Sequence, residues 1–281
     1  MERVSWRLRI RHTSGYRYQS PVRSSYNEAR LTPLTTERQL TIESRVEVDP
    51  RARLYRYWDY WGTLVHAFDL HRPHSELVVT ATSVVETEAE VVAPAAVGWD
   101  ELGEGSAELT DFLLPTAHVP LILDPPAGLP DLRSCVDPAS AAQEAVAWLR
   151  ATMSYEKGTT SVSTSAAEAL AARRGVCQDF VHVFLALTRP LGIPARYVSG
   201  YLHPALHPDI GTVDRGESHA WAEVWLGEWV PIDPTNGQVP GLRHVSVARG
   251  RDYRDVAPLR GIYSGGAAHA LDVEVELTRV A

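Results

Sequence analysis

The sequence predicts an α+β protein in which a β-sandwich-like N-terminal part precedes a core of helices followed by antiparallel strands. Three observations carry this expectation. Before about residue 95, apolar residues recur at every second position and no long helical pattern appears. From Pro138 they recur at helical spacing, and after Pro194 the period returns to two.

Taken in order, Val4-Trp6-Leu8-Ile10, Leu40-Ile42-Ser44-Val46-Val48 and Leu77-Val79-Ala81-Ser83-Val85 each read as a strand with one apolar face. Asp49-Pro50 and Trp61-Gly62-Thr63 read as turns between them. The stretch from Val92 to Pro138 is rich in Pro, Gly and Ala and reads as a linker with one short helix. Asp137-Pro138 is a helix start, and Ala142, Ala145, Val146 and Leu149 carry that helix to about Met153. Further helices are expected from Ser165 through Ala172 and from Cys177 to about Thr188, the latter ended by Arg189-Pro190-Leu191-Gly192. Strands should follow at 195–201, 218–226 and 229–233, with a last one through Leu271-Val273-Val275-Leu277. The expected division is a β-rich domain at 1–93, a linker at 94–137 and the core at 138–281.

A chain of 281 residues can bury a core without covalent staples, and two cysteines, Cys135 and Cys177, cannot build a disulfide framework. The first residues lack the apolar run of a signal peptide or membrane span. A cytoplasmic protein is expected. A formal charge of -8 and pI near 5.8 give no reason to bind nucleic acid or a membrane. Lys157 is the single lysine among 27 basic residues.

A thiol becomes a nucleophile when its thiolate is favoured, and a helix N-terminus beside an imidazole supplies that bias. Cys177 falls in the first turn of the third helix, where free N–H groups could also hold an oxyanion, and Gly175 eases the approach of the chain. Downstream, Ser218-His219-Ala220-Trp221 and Ile232-Asp233-Pro234-Thr235-Asn236 place one histidine and one aspartate on adjacent strands. The two can meet only if paired residue numbers sum to an even number, for example Trp225 opposite Trp229, which requires the three-residue loop Leu226-Gly227-Glu228. A two-residue loop would put them on opposite faces.

The blocks Arg174-Gly175-Val176-Cys177-Gln178-Asp179-Phe180, His219-Ala220-Trp221 and Asp233-Pro234-Thr235-Asn236 resemble, in order and spacing, those of the transglutaminase-like superfamily. Asp59-Tyr60-Trp61-Gly62 and the tail Gly250-Arg251-Asp252-Tyr253-Arg254-Asp255-Val256 resemble its bacterial two-domain branch, so the likeness covers most of the chain. That branch is similar to predicted cysteine proteases more than to animal cross-linking enzymes. The resemblance implies a papain-like, transglutaminase-like core and a Cys177–His219–Asp233 mechanism acting on a peptide or protein. Tyr155 is the chosen second oxyanion donor, in place of the tryptophan used by the animal enzymes. Gln178, Asp179 and Trp221 complete the candidate site, and His182 is expected to pack or hydrogen-bond.

Other readings stand beside this one. His203, His207 and His219 with Asp209 and Asp214, or His66, His71 and His74, are alternative metal ligands by residue type. The 203–209 stretch reads better as a rim of the cleft and the second trio as surface or interdomain contacts, so no metal or cofactor is expected. The same triad could transfer an acyl group to an amine, as transglutaminases and arylamine acetyltransferases do, or the fold could serve as a non-catalytic binding module. Hydrolysis is the leading expectation, because the polar loop from His203 to Glu217 should admit water.

Overall fold

The computed structural model describes residues 4–89, 97–103, 106–122 and 124–281. The strands are β1 Ser5–Val22, β2 Ser24–Ala29, β3 Gln39–Asp49, β4 Tyr55–Trp58, β5 Leu64–Leu70 and β6 His74–Glu88, then β7 Ser154–Tyr155 and β8 Arg174–Gly175. After them come β9 Ala195–Leu202, β10 Val213–Trp225, β11 Trp229–Ile232, β12 His244–Gly250, β13 Leu259–Ser264 and β14 Ala268–Arg279. The α-helices are α1 Pro138–Thr152, α2 Ala166–Ala172, α3 Cys177–Thr188 and α4 Tyr253–Val256. The boundary expected at 93/94 lies outside the described residues. The described part of the linker holds three short 3-10 helices, at Glu101–Gly103, Ser106–Phe112 and Leu132–Ser134, where one helix was expected.

The helices begin where their caps dictate. Asp137 accepts from the Ser140 N–H ahead of α1, and Ser165 and Glu168 form a reciprocal capping box on α2. Every residue of α3 from Gln178 to Thr188 is buried, which its nearly continuous apolar sequence requires. Helices α1 and α2 and the sheet strands β9 and β10 pack around it.

An eight-stranded sheet runs in the order β12-β9-β10-β14-β1-β6-β3, with β11 also on β10. A four-stranded sheet, β13-β2-β5-β4, packs against its N-terminal half through Phe68, Leu70, Leu77 and Val79. The sandwich expected at the N-terminus is present, but it borrows β13 and β14 from the other end of the chain. Their pairing with β2 and β1 carries hydrogen bonds across the sequence boundary at 138.

The expected single apolar face of the second strand is not found. A bulge between Thr41 and Glu43 shifts the register of β3 on β6 and reverses its alternation. Val46 and Val48 are buried as expected, while Leu40 and Ile42 face outward and Gln39 turns in. The third strand keeps its face, with Leu77, Val79, Ala81 and Val85 all buried. Of the last strand's apolar residues, Val275 and Leu277 are buried, and Leu271 and Val273 are exposed.

The inward Gln39 is used. Its amide donates to the carbonyls of Leu34 and Ser246 at 2.6 and 2.8 Å and accepts from the Ser246 N–H at 2.8 Å. Thr87 donates to the Leu242 carbonyl at 2.8 Å. The N-terminal strands therefore grip β12 and the segment leading into it.

Gly200 on β9 stands opposite His219 on β10. A Cβ there would lie 2.0 Å from the Val245 carbonyl oxygen and 2.7 Å from the Trp221 ring. Gly200→Ala should lower the unfolding free energy by about 1–3 kcal/mol, because backbone and a buried ring must both shift. Denaturant unfolding checks this; an unchanged midpoint would contradict the close approach.

Candidate active site

Cys177 is the first residue of α3, so its N–H has no acceptor within the helix and points out of the helix end with the positive pole of the dipole. The helix start is fixed by Asp179, whose Oδ2 accepts from the Val176 N–H and the Thr160 hydroxyl, each at 2.7 Å. Asp179 is fully buried, and that burial raises its pKa against the lowering effect of these two bonds. A Cβ on Gly175 would sit 2.5 Å from the same carboxylate oxygen. The glycine is there to make room for Asp179, and its backbone needs no left-handed turn.

The hairpin forms with Trp225 opposite Trp229 and Ala222 opposite Ile232, closed by Leu226-Gly227-Glu228. This register has the parity that the triad requires. His219 Nε2 donates to Asp233 Oδ2 at 2.8 Å, and Cys177 is near enough to favour the protonated ring. Nε2 being taken, Nδ1 is the nitrogen left for the thiol proton.

Asp233 is fully buried. Its Oδ1 accepts from the backbone N–H of Thr235 and Asn236 at 3.0 and 3.1 Å, and Oδ2 accepts from the Asn236 amide at 2.7 Å. Burial alone would raise its pKa, but the hydrogen bonds from His219 and Asn236, with His244 close by, hold it well below the usual carboxylate range. Burial would likewise lower His219, yet its hydrogen bond to Asp233, the neighbouring Cys177 and the electrostatic attraction of both raise it from 6.5 to about 9.

His244, on β12, is a site residue that sequence reasoning missed. Its Nδ1 accepts from the Gly241 N–H at 3.2 Å, so Nε2 carries the proton and faces Asp233 Oδ2 at 3.5 Å. Ligand atoms of His219, Asp233 and His244 lie within 4.8 Å of one another, the spacing of a possible metal triad. Asp233 already accepts four hydrogen bonds, so a cation would have to displace them. Only the histidine's position at the start of an alternating run, Val245 and Val247, could have hinted at it.

Trp221 stacks on His219 with ring centroids 6.1 Å apart and meets His244 edge-on at 5.3 Å, so it walls both rings. Tyr155 pairs with Gly175 through the short β7–β8 ladder, two residues before Cys177. Its pKa is pushed up to about 12 by burial, then by Cys177 and Glu217. The Gln178 amide is engaged elsewhere, donating to the Val162 carbonyl at 3.3 Å. His182 is buried and accepts from the Tyr253 N–H at 3.2 Å, the packing role expected of it.

Two expectations about histidines are corrected. His203 is wholly buried, 3.5 Å from Asp214, rather than on a cleft rim, because β10 starts at Val213 and pairs there with β14. His66 and His74 are buried in the N-terminal part, and of that trio only His71 is exposed.

Residues 130–234 match the Transglutaminase-like superfamily, and residues 8–86 match the Bacterial transglutaminase-like N-terminal region. An uncharacterized protein of Mycobacterium leprae is 48% identical over 278 residues, spanning 98% of this chain and 100% of its own. A protein-glutamine gamma-glutamyltransferase of Pseudomonas aeruginosa is 34% identical over 96 residues, 31% of this chain and 14% of that one. A solved structure from Cytophaga hutchinsonii, described provisionally as a cysteine protease, superposes with a TM-score of 0.74 over 98% of both chains at 22% identity. It shares the fold.

Iodoacetamide near neutral pH should modify Cys177 at least about tenfold faster than Cys135, the fast phase vanishing in Cys177→Ala and slowing in His219→Ala. Equal labelling of both thiols, read by peptide mass spectrometry, would contradict the pairing. The pH dependence follows from the signs. A raised folded-state pKa at His219 contributes stability that is complete below 6.5 and lost as pH rises through about 9. The unfolding free energy of wild type minus that of His219→Gln should therefore be largest below 6.5 and shrink toward pH 9. A difference that stays level across that window would refute the assignment.

Proposed function

Because the chain belongs to the transglutaminase-like superfamily, we propose that it is a cysteine hydrolase that cleaves amide or peptide bonds through a thioester on Cys177, as a cysteine protease does. The observation that carries this reading is the placing of His219 between Cys177, the first residue of α3, and the buried Asp233, to which it is hydrogen-bonded at 2.8 Å.

Each group has a task set by its surroundings. His219, drawn toward its charged form, holds the thiol's proton so that Sγ attacks the substrate carbonyl carbon as a thiolate, and the imidazolium is stabilised by Asp233, which also fixes the ring's orientation. The Cys177 N–H at the helix end and the Tyr155 hydroxyl are the donors for the resulting oxyanion. As the C–N bond breaks, His219 returns the proton to the leaving amine and a thioester remains. Water then attacks the thioester, His219 accepts its proton, the C–S bond breaks, and the thiol regains its hydrogen as the carboxylic acid leaves.

Water as acceptor is favoured by the surroundings of the thiol. Tyr155 is 47% exposed, and the nearby Lys157 and Glu217 side chains are exposed too, so the mouth is wet rather than an apolar tunnel. Transfer to an amine is the competing reading, supported by the partial match to the glutamyltransferase, and it uses the same thioester.

Incubation with a glutamine-containing peptide library, with and without excess primary amine, separates the two by product mass. Cleaved or deamidated peptides absent from the Cys177→Ala reaction are expected. Amine adducts forming faster than either would make the protein a transferase, and identical profiles for wild type and Cys177→Ala would remove both enzymatic readings.

A further inference from the structure

The chain's single lysine stands at the mouth of this site. Lys157 lies two residues past Tyr155, on the side of the cleft that carries Cys177. Glu217 lies two residues before His219 on β10 and shares its face, so the two side chains leave the strand ~7 Å apart. The Lys157 ammonium donates to the Glu217 carboxylate, and one ion pair thus joins the cysteine side of the cleft to the histidine side.

The surrounding charges are already directed elsewhere. Arg215, on the same face of β10, reaches Glu274 at 3.7 Å, and Glu156 reaches Arg174 at 3.7 Å. The Lys157 and Glu217 side chains are 60% and 65% exposed, so water and salt screen the pair and an incoming cation can exchange with it at little cost. In a chain whose other basic residues are all arginine, Glu217 is occupied by a compact ammonium with three freely turning donors.

Resting on the hydrolase reading, we propose that Glu217 selects substrates by binding a primary ammonium group carried about one residue from the scissile bond, and that Lys157 fills this subsite until the substrate displaces it. A lysine-like side chain has the chemistry and reach to replace the Lys157 ammonium. The two partners then have opposite effects on recognition: Glu217 binds the substrate group, whereas Lys157 competes with it. A simple latch across the cleft would make them equivalent, since either substitution breaks it.

Matched fluorogenic peptides carrying lysine or norleucine at each position flanking the scissile bond supply the test. At one position wild type should show a KM about fivefold lower for the lysine peptide, the size expected of a screened ion pair, with kcat unchanged. Glu217→Gln should abolish the preference. Lys157→Met should enlarge it. Equal KM values for the lysine and norleucine peptides in wild type, or matching changes for all peptides in both variants, would overturn the proposal. If no peptide is turned over, the hydrolase reading fails by itself, and binding of the same peptides to Cys177→Ala by calorimetry decides the subsite. A lysine preference that disappears in Cys177→Ala/Glu217→Gln upholds it, and indifference to lysine refutes it.

Discussion

The three-residue connection Leu226-Gly227-Glu228 governs whether this site can exist. A strand's side chains alternate, so one residue fewer in the turn would send Asp233 to the face opposite His219. With the observed register, Asp233 follows the ladder to a place opposite Trp221, two residues along β10 from His219 and on its face, and the carboxylate reaches the ring directly. Burying that carboxylate is costly, and the sequence after it supplies the remedy: Pro234-Thr235-Asn236-Gly237 turns back so that two backbone N–H groups and the Asn236 amide meet it. The imidazole beside it is then drawn toward its charged form, which is the state that favours a neighbouring thiolate.

A second layer of support reaches this hairpin from a distant stretch of chain. Gln39 is turned inward by the β3 bulge and bonds Ser246 from both ends of its amide, while Thr87 holds the Leu242 carbonyl. Between those two anchors stands His244, whose imidazole faces Asp233. The N-terminal strands thus touch the chemistry through β12, and the bulge that upset the simple alternation of β3 is the feature that makes the contact. Trp221 completes this arrangement by filling the space that Gly200 leaves open.

Much of this was legible because it rests on local rules. Asp137-Pro138, Ser165 and Pro190 mark helix ends through local backbone preferences, and the hairpin's parity follows once His219 and Asp233 are required to meet. What escaped depends on partners remote in sequence. The bulge at Ile42 is defined only by its ladder with β6, His203 is buried because β10 extends back to pair with β14, and His244 matters only beside Asp233. Gly175 was noticed for the wrong reason: it gives space to Asp179, a relation between a loop and a helix turn that no composition rule encodes. Exposed Leu40 and Ile42 belong with these cases, since apolar type and alternation are identical on either side of a bulge.

The pairing of β14 with β1 also sets an order of events. Leu8 faces Arg279, and the register continues to Tyr16 opposite Leu271, so the middle of the large sheet joins segments about 260 residues apart in the chain. Closing so long a loop is slow compared with forming α1 or the β10–β11 hairpin. During synthesis the helices and the hairpin can form while β1 still lacks this neighbour, and the inner edge of the N-terminal sheet stays unsatisfied until β14 leaves the ribosome. The alternating Arg7, Arg9 and Arg11 of β1 would keep that waiting edge charged and discourage it from pairing with another nascent chain.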